Sequence, residues 1–164
     1  MSVNRYRPHV LVLPEDDANR QLANGFHLEI NPLLTRYIQV LEEAGGRTKV
    51  LERFKSDHVI EMDRYPTRFM VLLIDFDDKE ERLNAARAAI SGHLTERVFI
   101  LGVLSEPETL RKAKLGSYET IGGAMARDCR EETDAILGHE LLRHNACELD
   151  RLRVQVRPIL FRPI

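Results

Sequence analysis

Carboxylates that directly follow apolar runs are the residues of this chain best suited to chemistry. Met70-Val71-Leu72-Leu73-Ile74 leads into Asp75-Phe76-Asp77-Asp78, and Val10-Leu11-Val12-Leu13, after Pro14, leads into Glu15-Asp16-Asp17. On an extended backbone Asp75 and Asp77, two apart, point the same way. Oxygen donors grouped like this suit a hard cation such as Mg²⁺ or Mn²⁺. Carboxylates brought together repel one another, and a proton, solvent or a divalent ion relieves that repulsion. An ion held there polarises phosphate oxygens or activates water. The candidate metal ligands are therefore Glu15, Asp17, Asp75, Asp77 and Asp78. Glu15, Asp75 and Asp77 are the candidate catalytic residues, with Glu15 available as a general base. The plainer explanation is that loops are polar and helix N-termini favour acids. Two separate apolar runs with the same ending weigh against it.

These side chains meet only if the fold gathers the ends of the runs. Short apolar runs without alternation suit strands covered on both faces. Parallel strands joined by right-handed crossovers end at one edge, where open α/β sheets bind ligands. The expected strands are residues 10–13, 48–51, 70–74 and 98–104, with Glu106 joining the acidic edge. A helix is expected over residues 18–26, capped by Asp17 or Asn19. Residues 33–44 read as an amphipathic helix through Leu34, Ile38 and Leu41, ended by Gly45-Gly46.

Further helices are expected around residues 59–62 and over 79–91, 107–114 and 118–133. The longest covers 137–156, with Leu141, Leu142, Asn145, Leu149, Leu152 and Val156 as its stripe. Residues 159–161 add an edge strand or a packed tail. This alternation predicts a single three-layer α/β domain, Rossmann-like or flavodoxin-like, with a mainly parallel sheet. Its core spans about residues 8–122 and a C-terminal helical extension about 123–164.

Composition narrows the function classes. The 164 residues are 43% hydrophobic and 30% charged, with a net charge of −2, so an overall basic nucleic-acid footprint is absent and only local patches remain. No apolar run approaches the ~20 residues of a membrane span, and the N-terminal stretch lacks the apolar region of a signal peptide. A cytoplasmic protein without membrane contact is expected. Cys129 and Cys147 lack metal spacing, fall on expected helices and read as buried free thiols. His139 and His144 are five apart, not on one helix face, and His144-Asn145 reads as a helix-surface or local hydrogen-bonding group rather than a ligand. Gly45-Gly46 and Gly122-Gly123 are isolated doublets, read as helix breakers rather than a phosphate loop.

Two resemblances rest on these motifs. VLVLPEDD and VLLIDFD resemble the TOPRIM domain of topoisomerases, primases and overcoming-lysogenization-defect nucleases, with an apolar strand ending in Glu and a later one ending in Asp-x-Asp. The match spans about residues 10–105, with Asp16 where that family usually has glycine. It implies that Asp75 and Asp77 bind Mg²⁺ and that Glu15 binds metal or moves a proton in phosphodiester chemistry. A nuclease or nuclease subunit acting on nucleic acid follows, with a partner such as an ATPase supplying DNA binding.

VLVLPEDDANRQL also looks like the first strand and acidic pair of a response-regulator receiver, which implies metal binding by Asp16 and Asp17 and phosphorylation of Asp75. RVFILGVLSEPETLRKAKLGSYETI is similar to the receiver's fourth strand, helix and fifth strand, with Gly102 or a neighbour at the usual Ser/Thr and no Lys after residues 118–121. A receiver-like signalling module or a catalytically degenerate interaction domain is the alternative to an enzyme.

Overall fold

A computed structural model describes residues 3–163. Four parallel strands form one sheet in the order β2-β1-β3-β4: β1 (His9–Pro14), β2 (Ile38–Val40), β3 (Arg68–Leu73) and β4 (Val98–Leu101). The register places Val12 opposite Val40 and Val71, and Val71 opposite Phe99. Side chains alternate across a strand, so Leu11, Leu13, Met70, Leu72 and Ile100 build one buried face and Val10, Val12, Val71 and Phe99 the other. Both faces are covered, which explains why the central runs do not alternate with polar residues.

Helices α2 (Arg47–Arg53), α3 (Val59–Arg64) and α4 (Glu80–Ala88) close the first face through Val50, Met62 and Ala86. A π-helical turn, Phe54–His58, joins α2 to α3. On the second face lie α1 (Asp17–Leu28), α6 (Tyr118–Glu131), α7 (Ala146–Gln155) and the short α8 (Arg157–Leu160). They contribute Ala23, Cys129, Leu152 and Leu160 to the core. Helix α5 (Pro107–Lys112) follows β4. The three-layer α/β expectation is met. No helix among the described residues is long and apolar enough to cross a membrane.

Several local expectations fail for identifiable reasons. Residues 33–44 are not an amphipathic helix: Pro32–Tyr37 is a 3₁₀ turn, and Ile38 and Val40 pair with β1 as β2. The Leu34, Ile38 and Leu41 spacing mimics a helical face, but the β-branched pair Ile38 and Val40 also alternates with Gln39, and the open β1 edge selects that period. Residues 48–51 are helical rather than a strand, and Val50 is wholly buried. Gly45 and Gly46 end no helix. With φ of 92° and 152° they turn the chain from β2 into α2, conformations that glycine adopts cheaply.

Gly122 is no breaker either; it lies within α6, where an added Cβ would sit 1.9 Å from the Leu22 carbonyl oxygen of α1. Gly25 does the same from the α1 side, 2.0 Å from the Glu119 oxygen. Glycine on both helices allows their backbones to touch.

The expected helix over 137–156 begins only at Ala146. Asp128, on α6, captures the preceding chain: its carboxylate accepts from the Thr133 hydroxyl and from the amides of Ala135, Ile136 and Leu137 at 2.6–3.0 Å. The apolar stripe itself is buried as expected at Leu142, Asn145, Leu149, Leu152 and Val156. Residues 157–160 form α8, so the tail packs as a helix rather than an edge strand.

Among the described residues no fifth strand follows α5. Ser117 caps α6 instead, accepting the Thr120 amide at 3.1 Å. The open edge of β4 is closed by side chains from the start of α7. Glu148 accepts the Ile100 amide at 2.8 Å, while Asn145 accepts the Gly102 amide at 3.2 Å and donates to the Gly102 carbonyl at 2.9 Å. An exposed edge strand invites pairing with other chains, and here a helix supplies the missing ladder partners.

Candidate functional site

In a 2-1-3-4 sheet the strand order reverses between β1 and β3, and the crevice beyond the carboxyl ends of those strands is where such folds bind ligands. Beyond the last ladder pair, Pro14 with Leu73, the Asp75 amide donates to Glu15 Oε2 at 2.7 Å. A carboxylate thus completes the β1–β3 ladder and stands at the switch point.

Asn19 joins the two strand ends. Asp16 caps α1 by accepting the Asn19 amide at 2.9 Å, so the helix cap is Asp16 rather than Asp17 or Asn19. The Asn19 side-chain nitrogen donates to Asp16 Oδ1 and to Asp75 Oδ1, both at 3.0 Å. Asn19 is fully buried and Asp75 is 8% exposed. Burial, with the charges of Glu15, Asp16 and Glu108, pushes the Asp75 carboxyl up to about 7, against the pull of the Asn19 amide. Burial also raises Glu15; Asp16 and Asp77 add to the rise, while the Asp75 amide and Arg47 oppose it.

The remaining acids of the motifs lie outside this inner pair. The chain leaves the extended conformation after Phe76: Asp77 and Asp78 have φ of 47° and 59° and both are exposed. Asp77 therefore does not project beside Asp75; it pairs with Arg82. It is still close enough to contribute to the rise of Glu15. Asp17 is exposed and bonded to Arg20 at 3.1 Å and Gln21 at 2.7 Å. Glu106 is exposed, at the N-cap of α5. Among the described residues, no group of three or more His, Cys, Asp and Glu side chains is disposed to hold a metal ion.

Two residues of this edge were not singled out for it by sequence. Asn19 carried only a capping signal, although Asp-x-x-Asn after a strand is the spacing that lets one amide bridge a cap and a neighbouring strand end. His144 is no helix-surface group: it is half-buried, its ring edge-on to Phe76 with centroids 5.2 Å apart, and burial lowers its pKa. Nothing in its local sequence signals that contact. Of the two free cysteines only Cys129 is buried, and burial pushes its thiol up to about 11; Cys147 is exposed, contrary to expectation.

Comparison of the chain with protein-family models, with curated proteins and with solved structures returned no match.

Proposed function

We propose that the β1–β3 switch point is a Mg²⁺-dependent phosphoryl-transfer site, TOPRIM-like in its chemistry and acting on nucleic acid as a nuclease or nuclease subunit. The observation that carries this reading is the Glu15 carboxylate on the Asp75 amide at 2.7 Å, with the Asp75 carboxyl held at about 7. Two raised carboxylates at one strand boundary are the groups that gain most from an adjacent cation. The small number of inner ligands fits Mg²⁺ better than a caged ion, since Mg²⁺ keeps several waters and is held by one or two carboxylates with substrate phosphates.

Asp75 would hold the ion, with Glu15 as a second ligand or as the base, and the ion would supply polarisation of a phosphate oxygen. Asn19 fixes the Asp75 rotamer and leaves its other oxygen free for the ion. Asp77 serves as a further ligand once released from Arg82, an exposed pair of small worth. Asp17 and Asp78 act from the rim. Glu15, raised and half-buried, is the group placed to take a proton from an attacking water. A partner protein such as an ATPase provides the DNA contacts that a chain of net charge −2 lacks.

The receiver-like reading shares this switch point. It is favoured by the strand order and by Asp16 capping α1 beside Asp75; in it, Asp75 accepts a phosphoryl group.

Incubation of the chain with DNA and RNA substrates and Mg²⁺ or Mn²⁺ tests the proposal. Metal-dependent cleavage that Asp75→Ala abolishes supports it. Labelling of Asp75 by acetyl phosphate without cleavage replaces it with the signalling reading. Neither result, with no metal-induced rise in thermal stability, leaves an interaction domain and sinks both.

A further inference from the structure

The amino ends of the strands carry charge of the opposite sign. Residues 4–7 lead into β1 and residues 65–67 into β3, and the His9 amide bonds the Thr67 carbonyl at 3.2 Å where the two segments meet. Strands of six residues are about 20 Å long, so this end is remote from Glu15 and Asp75. Tyr65 is its centre. The Arg68 and Arg5 guanidinium groups lie 5.1 Å and 5.8 Å from the centroid of its ring, and Tyr6 meets that ring edge-on at 6.2 Å. Arg97 donates to the carbonyls of Met62, Tyr65 and Arg68 at 3.0–3.3 Å. Among the described residues no carboxylate forms an ion pair with Arg5, Arg68 or Arg97. Glu61, whose charge reaches Arg5 and Arg68, is paired with Arg64 at 3.2 Å.

Arg68 shows how poorly this charge is compensated. It is 5% exposed, and its Nε donates to His9 Nε2 at 2.9 Å. His9 Nδ1 is 2.7 Å from the Arg7 carbonyl. A carbonyl only accepts, so Nδ1 carries the proton and Nε2 is a neutral acceptor. Burial keeps His9 below the usual histidine value, opposed by the Arg7 carbonyl and helped by the charges of Arg68 and Arg5. A buried cation therefore rests on a neutral ring, and buried charges are ordinarily paired. Burial lowers Arg68 as well, with Glu61 opposing and Arg5 adding to the fall. Such groups gain from an anion at the surface above them. That surface has a definite form. Arg5, Tyr6 and Arg7 are exposed, Tyr6 at 87%. Asn4 pins their turn: its side-chain oxygen accepts the Tyr6 amide at 3.1 Å and its carbonyl the Arg7 amide at 3.3 Å. One exposed tyrosine alone is ordinary. A ring presented on a pinned turn, between two arginines and beside unneutralised guanidinium groups, is suited to a stacked base and its phosphates.

We infer that the amino end of the sheet binds single-stranded nucleic acid, with a base stacked on Tyr6 and the adjoining phosphates on Arg5 and Arg7. Arg68 and Arg97 deepen the positive potential from beneath. A duplex hides the faces of its bases, and an acidic peptide offers charge without a stacking base, so a single strand fits best. A partner that supplies duplex contacts is compatible with this grip. The inference does not rest on the metal reading, because neither the stacking nor the phosphate contacts involve a cation.

Fluorescence anisotropy of the whole chain with a labelled oligothymidylate of about twelve nucleotides, in EDTA at low salt, tests the inference. Binding is expected with a dissociation constant on the order of 10 µM that weakens steeply as salt is added. Tyr6→Ala is expected to weaken it about tenfold. Arg5→Ala combined with Arg7→Ala is expected to weaken it about tenfold and to flatten the salt dependence. All three positions are exposed, so the variants are expected to unfold at the midpoint of the unaltered chain. An abasic strand of the same length and a duplex are each expected to bind about tenfold more weakly. No binding by the unaltered chain, or unchanged affinity in either folded variant, overturns the site. Equal affinity for the abasic strand or for polyglutamate also overturns it, leaving a cationic surface without base recognition. EDTA silences any metal chemistry, which keeps the two readings separable. Binding here without cleavage in Mg²⁺ sinks only the metal reading, and cleavage in Mg²⁺ without this binding sinks only the present one.

Discussion

Asp75 and Asp128 are two carboxylates of one small domain, 8% and 2% exposed, and they have opposite electrostatic fates. Burial alone would raise both. Around Asp128 it is outweighed by the Thr133 hydroxyl and the amides of Leu137, Ile136 and Ala135, so its pKa falls below the usual value. Around Asp75 a single side-chain amide opposes burial and three like charges, and the carboxyl rises to about 7. The first is a structural bolt that holds a loop. The second is under-coordinated at a strand boundary where ligands bind. Buried acids are thus told apart by what donates to them, not by depth, and a perturbed acid in a cleft is the better functional candidate.

The largest expected effect breaks the bolt. Asp128→Ala leaves the amides of Ala135, Ile136 and the buried Leu137 without this acceptor and is expected to cost about 3–5 kcal/mol in denaturant unfolding. A loss under about 1 kcal/mol would show that Asp128 does not hold the loop. Because its folded pKa is depressed, its contribution is present above the unfolded carboxyl value and disappears as pH falls through the folded one.

Asp75 has the reverse sign. Its folded pKa of about 7 lies above the ordinary 3.8, so the folded state binds the extra proton and stability falls as pH rises from about 4 to 7. Asp75→Asn keeps the shape and an acceptor for Asn19 while removing the charge. It is expected to stabilise the protein by about 1–3 kcal/mol at pH 8 and to flatten that slope. Unfolding curves at pH 5 and pH 8 decide it; destabilisation at pH 8 would reverse the assignment of the two acids.

Mg²⁺ sharpens the contrast more gently. Millimolar Mg²⁺ is expected to raise the unfolding midpoint by a few degrees at pH 8, with the effect fading below about pH 7 as protons compete, and vanishing in Asp75→Asn. The same gain in the variant would place any ion elsewhere. The smallest effect is that of Glu15→Gln. The new amide oxygen still accepts from the Asp75 backbone, but a like charge is gone, so the Asp75 titration followed by carboxyl NMR moves down. An unmoved midpoint would remove Glu15 from the electrostatics of the site.

Residues 10–13 and 70–74 announced themselves as central strands because burial on both faces demands uninterrupted apolar runs; residues 98–104 read the same way, but only Val98–Leu101 is a strand and it lies at the sheet edge. That was enough to imply a parallel sheet and an acidic edge. The pairing of Glu15 with Asp75 followed from the same runs, since parallel strands end together. Residues 33–40 show where local reading runs out: the Leu34 and Ile38 spacing is compatible with two periods, and only the vacant edge of β1 selects between them. Gly122 reads as a breaker unless α1 is known to pass so close that a Cβ on Gly25 would lie 2.0 Å from the Glu119 oxygen of α6.

What the linear chain determined, then, was fold class and the presence of carboxylates at the ends of buried strands, because hydrophobic patterning is a property of neighbours along the backbone. The tertiary structure decided which acids are strained and which are satisfied. It drew Asp77 out to Arg82, gave Asn19 two carboxylates to bridge, surrounded Asp128 with donors, and let Asn145 and Glu148 finish the sheet. The physical reason is that desolvation, donor count and the Coulomb field at a side chain are set by groups remote in sequence, which only folding brings within a few ångströms.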